Sequence, residues 1–148
     1  MDKPDQAILN LLQHDASLSV GEIAEQISIS KSACWRRIQK LEQQGVIRKR
    51  VTLMDPLALD LSLTVFIAVK TNQHNERWAQ QFNKVVQDIP GILEVYRMGG
   101  DVDYMIKAVV KDMPGYDALY QQLIKADLFD VSASYVMEAL KQTTELPL

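Results

Sequence analysis

Apolar residues recur along the first third of the chain at helical spacing, and then the pattern changes to runs that suit strands. Ile8, Leu9, Leu11 and Leu12 form one stripe of a helix expected over residues 5–14. Ser19 followed by Glu22 has the spacing of a capping box, so a second helix begins there and carries Ile23, Ala24 and Ile27. Ser28-Ile29-Ser30 reads as a turn, with Ser30 capping a third helix. That helix runs to about Gln44 and stops at Gly45, a natural left-handed cap. On a helical wheel Cys34, Ile38 and Leu41 fall on one narrow face, which should pack on the first two helices. Ser32, Arg36, Gln39 and Lys40 point the other way, with Trp35 and Arg37 on the flanks. Residues 46–54 alternate loosely and predict a strand, which Asp55-Pro56 ends.

Beyond a stretch without clear period, residues 63–71 are rich in Val, Ile, Phe and Thr and predict a strand. Trp78, Phe82, Val85, Val86 and Ile89 mark one face of a helix over 75–89, broken by Pro90-Gly91. A strand over 92–98, a turn at 99–101, a strand over 102–111, a helix over 113–126 and a strand over 131–140 follow. The order strand, helix, strand, strand, helix, strand is the split ferredoxin-like arrangement. The fold expected is therefore two domains. The first is a mainly α winged helix-turn-helix over 1–54; after a linker at 55–62, an α+β βαββαβ domain covers 63–148. A four-stranded sheet with helices on one face leaves its other face to be covered. Residues 63–71 and 92–98 place apolar groups on both faces, so a dimer of apposed sheets is expected.

Composition narrows the function classes. The chain has 148 residues, 47% hydrophobic and 24% charged, with one cysteine. No apolar run approaches the roughly 20 residues of a membrane span. The start MDKPDQ lacks a basic, apolar leader, and a single cysteine builds no internal disulfide framework; a soluble cytoplasmic protein is expected. The net charge of −3 hides an asymmetry. Residues 31–50 carry Lys31, Arg36, Arg37, Lys40, Arg48, Lys49 and Arg50 against one acid, Glu42. An acidic chain with one basic block on a capped helix and the strand after it fits a footprint for double-stranded DNA, with one helix laid in a groove. The candidate contacts are Ser30, Lys31, Ser32, Trp35, Arg36, Arg37, Lys40, Arg48, Lys49 and Arg50. A merely solvated charged face is the competing reading of the same block.

Other residues carry less. Cys34 lies on the core face and reads as a packing residue. His14 and His74 lack ligand-type neighbours, so no metal is expected. No nucleophile and base pattern and no phosphate-cradling glycine loop appears, so no catalytic residue is assigned. The turn Met98-Gly99-Gly100-Asp101-Val102-Asp103-Tyr104 has glycines whose amides can hold a carboxylate and aspartates able to accept from an ammonium. It also reads as a plain hairpin turn with capping aspartates.

The run SKSACWRRIQKLEQQGVI at residues 30–47 resembles the helix-turn-helix of the leucine-responsive/asparagine-regulator (Lrp/AsnC) family of transcription regulators. The likeness continues through Asp55-Pro56, through GDVDY at residues 100–104 and through VMEALKQTTELPL at residues 136–148. The resemblance implies a DNA-binding regulator gated by a small amino-acid effector, with no other cofactor. It also implies homodimers assembling to octamers, which with two-fold symmetry would match a palindromic operator. It places the effector at Met98, Gly100, Asp101, Asp103 and Tyr104, between subunits, with Ser134 and Val136 helping from the last strand. Gly99-Gly100 has one glycine more than the motif requires. Two other readings remain open: an architectural DNA-binding protein without a ligand, and a small metabolite-binding module or enzyme.

Overall fold

The computed structural model describes residues 1–148 and divides them into two compact units, Met1–Leu53 with Leu140–Leu148, and Met54–Ala139. The first unit holds three helices, α1 (Lys3–His14), α2 (Val20–Gln26) and α3 (Lys31–Gln43). Each begins on a side chain that accepts a backbone amide of its first turn: Asp2 from Asp5, Ser19 from Glu22, Ser30 from Ala33. The Ser19–Glu22 capping box is formed in both directions. Ile8, Leu9, Ile23, Ala24, Cys34, Ile38 and Leu41 make one buried cluster. Ile8 and Ile23 are almost fully buried, and burying a side chain of that size contributes ~1.5–3 kcal/mol. Burial pushes the Cys34 thiol up, in keeping with a packing residue.

Both turns around α3 close in the same way. Gly45 donates to the Glu42 carbonyl and Val46 to that of Leu41, with Gly45 at φ +72°. At the end of α2, Ser28 donates to Glu25 and Ile29 to Ala24, and Ser28 takes φ 56°. Two left-handed caps of this kind bracket α3 and set where it begins and ends.

The strand expected over 46–54 does not form. After the two bonds that close α3, no backbone bond joins residues 48–54 to another segment, and Val51, Leu53 and Met54 lie exposed. A strand exists only as one side of a ladder, and this unit offers no second side.

The second unit is a four-stranded antiparallel sheet in the order β2-β3-β1-β4. Its elements are β1 (Leu63–Lys70), α4 (Glu76–Gln87), β2 (Ile92–Arg97), β3 (Tyr104–Val110), α5 (Met113–Leu123) and β4 (Asp130–Tyr135). Alternation sends Val65, Ile67, Val69, Ile106 and Ala108 to the face covered by Trp78, Phe82 and Val86 of α4 and Leu119 and Leu123 of α5. Phe66 on β1 faces Lys107 and Ser134 on the other side, and Tyr96 sits opposite Met105. Phe66 and Tyr96 are exposed there.

β4 ends at Tyr135 rather than continuing to residue 140. Its only neighbour, β1, starts at Leu63; the Val136 amide takes the Thr64 carbonyl, and little of β1 lies beyond it to pair with. Residues 140–148, expected to belong with the sheet, instead lie on α1. Gln13 bonds both the amide and the carbonyl of Leu146, at 2.9 and 3.0 Å, and His14 meets Glu145 at 2.9 Å.

Candidate nucleic-acid interface and effector site

The core stripe of α3 turns its remaining residues outward. Lys31, Ser32, Trp35, Arg36 and Lys40 are exposed, and Arg48, Lys49 and Arg50 follow on the segment after the helix. Lys31, Arg36, Lys40, Arg48 and Lys49 form no ion pair with any carboxylate of the chain, so these charges stay available to a polyanion. Ser30 is committed to the Ala33 amide, and its hydroxyl lies 3.2 Å from that of Ser32.

Arg37 departs from the expected set. Its guanidinium reaches Asp2 at 2.8 and 3.0 Å and Asp5 at 2.7 Å. Asp2 is held below the ordinary carboxylate range first by the Asp5 amide and then by Arg37, while Asp5 and Asp2 raise Arg37. Arg37 therefore ties α3 to the start of α1, and its charge is neutralised there. Arg50 is partly engaged by Glu42 at 3.2 Å.

In the second unit, the turn between β2 and β3 is fastened at three points. Met98 donates to the Asp103 carbonyl at 2.8 Å and Asp103 to that of Val69 at 3.1 Å; the Asp103 carboxylate accepts the Thr71 amide at 2.8 Å. Asp103 thus caps the turn with one carboxylate oxygen, and its other oxygen makes no hydrogen bond within the chain. Asp101 pairs with Lys70 at 2.9 Å, which raises the lysine's pKa. Gly100 adopts φ +117°, a value open to glycine alone at low cost. The amides of Gly99, Gly100 and Asp101 make no hydrogen bond within the chain.

Met98, Asp103 and Tyr104 line one hollow of about 320 Å³. The Tyr104 ring lies 4.5 Å from that of Phe82 and 5.7 Å from that of Trp78, so it serves the core as well as the hollow. Ser134 and Val136 are not brought to this turn within one chain. Ser134 stands beside Phe66 in mid-sheet, four residues from Asp130 at the turn end of β4, or ~13 Å at the strand rise. The hollow also includes residues that the sequence did not single out, among them His74, Glu76 and Arg97. They lie in different elements, and nothing local marks them as neighbours. No group of three or more His, Cys, Asp or Glu is placed to hold a metal, and no helix is long and apolar enough to cross a membrane.

Residues 1–48 match the model of a winged helix-turn-helix DNA-binding domain, and residues 64–146 that of the Lrp/AsnC ligand-binding domain. The glutamate uptake regulatory protein of Zymomonas mobilis is 44% identical over 149 residues, spanning 100% of this chain and 91% of that protein. An AsnC family transcriptional regulator from Agrobacterium tumefaciens superposes with a TM-score of 0.94 at 45% identity, covering 99% of this chain and 97% of that one. The transcriptional regulator NMB0573 of Neisseria meningitidis, solved as a complex with L-Met, superposes at 0.93 with 30% identity, over 99% and 96%. With both of its units matched in order and nearly end to end, the chain belongs to the Lrp/AsnC family of transcription regulators.

Proposed function

We propose that this regulator binds a palindromic operator as a homodimer, with α3 in the major groove, and that a small amino acid bound near the β2–β3 turn modulates the binding. The observation that carries the DNA half is the outer face of α3, where Lys31, Arg36 and Lys40 stand exposed and unpaired beside Ser32 and Trp35. Arg48, Lys49 and Arg50 extend the same charge beyond the helix. Arg37 is left out of the contact set because its charge is spent on α1. The relative crystallised with L-Met supports an amino acid as effector, and Met98, Gly100, Asp101, Asp103 and Tyr104 are the residues proposed to surround it. The exposed sheet face around Phe66 and Tyr96 is proposed as the dimer contact, and octamers follow the family resemblance. Such a protein works in the cytoplasm and needs no catalytic group.

Arg36→Ala tests this reading. The protein would first select its own operator from a pool of random duplexes. Binding of that duplex should then weaken by about 1–3 kcal/mol, and the slope of log K against log salt should become shallower by about one. Equal affinity and equal slope for parent and variant would remove Arg36 from the interface and α3 from the groove.

A further inference from the structure

At about 100° per residue, the side of α3 turned away from Cys34 and Ile38 runs from Lys31 through Trp35, Gln39, Ser32 and Arg36 to Lys40. The two lysines form the rims of this side and suit phosphates. The four residues between them are the ones that meet base edges when such a helix lies in the major groove. Three of the four are polar. Ser32 lies 3.2 Å from the Ser30 hydroxyl, Gln39 donates its amide to Glu42 at 3.0 Å, and Arg36 has no carboxylate partner. Trp35 is the exception. The chain's other tryptophan, Trp78, is 4% exposed and donates its indole N–H to the Asp127 carbonyl. Trp35 is 54% exposed, its indole N–H makes no hydrogen bond within the chain, and the buried cluster of the helical unit is built without it. Packing gives no reason for the largest side chain of the set to stand there.

Among the groups that base pairs present in the major groove, one is apolar: the 5-methyl group of thymine. A hydrogen-bonding side chain does not read it, and an apolar surface does. We propose that Trp35 is a specificity-determining residue for the operator, its ring covering the methyl group of one thymine in each half-site. Lys31 and Arg36, both without an ion pair in the chain, lie to either side of it and hold the duplex against the ring. The indole N–H only donates, and O4 of the same thymine is an acceptor next to that methyl group. A tryptophan laid on the sugar–phosphate backbone would instead contribute alike to every sequence, but the rim positions nearest the phosphates belong to the two lysines. The proposal rests on the DNA reading above and deepens it, since it adds the kind of base that α3 selects.

Replacing thymine by uracil decides, because it removes that methyl group and leaves base pairing intact. The full-length protein selects its operator from random duplexes of unmodified DNA, and each thymine of that operator is then changed singly to uracil. For the parent, affinity should fall about fourfold at one thymine per half-site, the worth of burying one methyl group. Trp35→Ala should bind the thymine operator more weakly than the parent and show no uracil penalty at that position, a comparison that isolates the contact. Trp35→Phe keeps an apolar ring and should keep a penalty there. The Trp35 side chain is exposed, so Trp35→Ala should melt no lower than the parent. A parent indifferent to uracil at every thymine overturns the proposal, as does a Trp35→Ala variant in which every uracil penalty stays whole. Either result leaves DNA binding by α3 standing. A parent that selects no duplex removes DNA binding and this reading together.

Discussion

The two left-handed caps around α3 should respond to substitution with opposite signs. Gly45 sits at φ +72° and an added Cβ would meet nothing within 4 Å, so Gly45→Ala has no steric clash with neighbours to relax. Its cost is conformational. The left-handed state costs a residue with a Cβ ~1–2 kcal/mol, offset by the ~0.4–1 kcal/mol gained from stiffening the unfolded chain. A net loss of about 0.5–1 kcal/mol follows from these two terms. Ser28 at φ 56° already bears that strain, and its hydroxyl makes no hydrogen bond that the change would lose. Ser28→Gly should therefore stabilise by a similar amount. Urea unfolding followed by far-UV circular dichroism reads both. With slopes of ~1–3 kcal/mol per molar, the midpoints should move apart by several tenths of a molar, down for Gly45→Ala and up for Ser28→Gly. Operator affinity of the folded fraction should hold, since neither residue is a proposed contact. A Gly45→Ala variant as stable as the parent, or a destabilised Ser28→Gly, would refute the assignment of these caps.

Three further outcomes are expected. Arg37→Ala should lower the melting temperature of the protein by releasing α3 from Asp2 and Asp5, yet reduce operator affinity of the folded fraction less than Arg36→Ala does; scanning calorimetry with gel shifts compares the two. Asp2 and Asp15 are both held below the ordinary carboxylate value of 3.8, Asp2 first by the Asp5 amide and Asp15 first by the Ser17 hydroxyl. Groups depressed in the folded state stabilise fully above that value and lose their contribution as pH falls through the lower one. Urea midpoints should thus fall on acidification from about pH 5 to 3, and Asp2→Asn should flatten part of that fall. Phe66→Asp places a charge in the middle of the open sheet face, and sedimentation at micromolar concentration should then shift from dimer toward the 16.8 kDa monomer. A parent that is itself monomeric would rule out the sheet-face dimer.

The helical unit was legible because its signals are local. Ser19 and Glu22 are three residues apart, Ser30 opens α3, and Gly45 closes it; each works through a backbone group within a few positions. The split βαββαβ order was legible for the same reason, since strand and helix periods need only short windows. Most of the misses are long-range. Residues 46–54 alternate like a strand, but a ladder needs a partner segment that the sequence does not name. β4 was drawn five residues too long because its end depends on where β1 begins. The left-handed Ser28 was hidden, because serine does not advertise that conformation as glycine does. Arg37 looked like its neighbour Arg36 on the helical wheel, and only the placement of the first helix turn beside α3 separates their roles.

The sensing half was harder to read for a related reason: the residues that look like ligands there are also the residues that hold the turn. Asp103 spends one oxygen on the Thr71 amide, Asp101 is drawn to Lys70, and the Tyr104 ring packs on Phe82. A motif concentrated at a turn marks where the backbone must be shaped, and the shaping itself consumes much of its polar capacity. The other charged or titratable groups lining the hollow come from elsewhere: the last residue of β2 in Arg97, the loop before α4 in His74, the first turn of α4 in Glu76. None has a recognisable spacing to the others, since the sheet and the helix bring them together. In the DNA-binding half, by contrast, one helix carries most of the proposed contacts, so its wheel predicts their common direction once the buried stripe is known. Recognition built on one element is visible in sequence. Recognition assembled from several becomes visible only once the fold has brought them together.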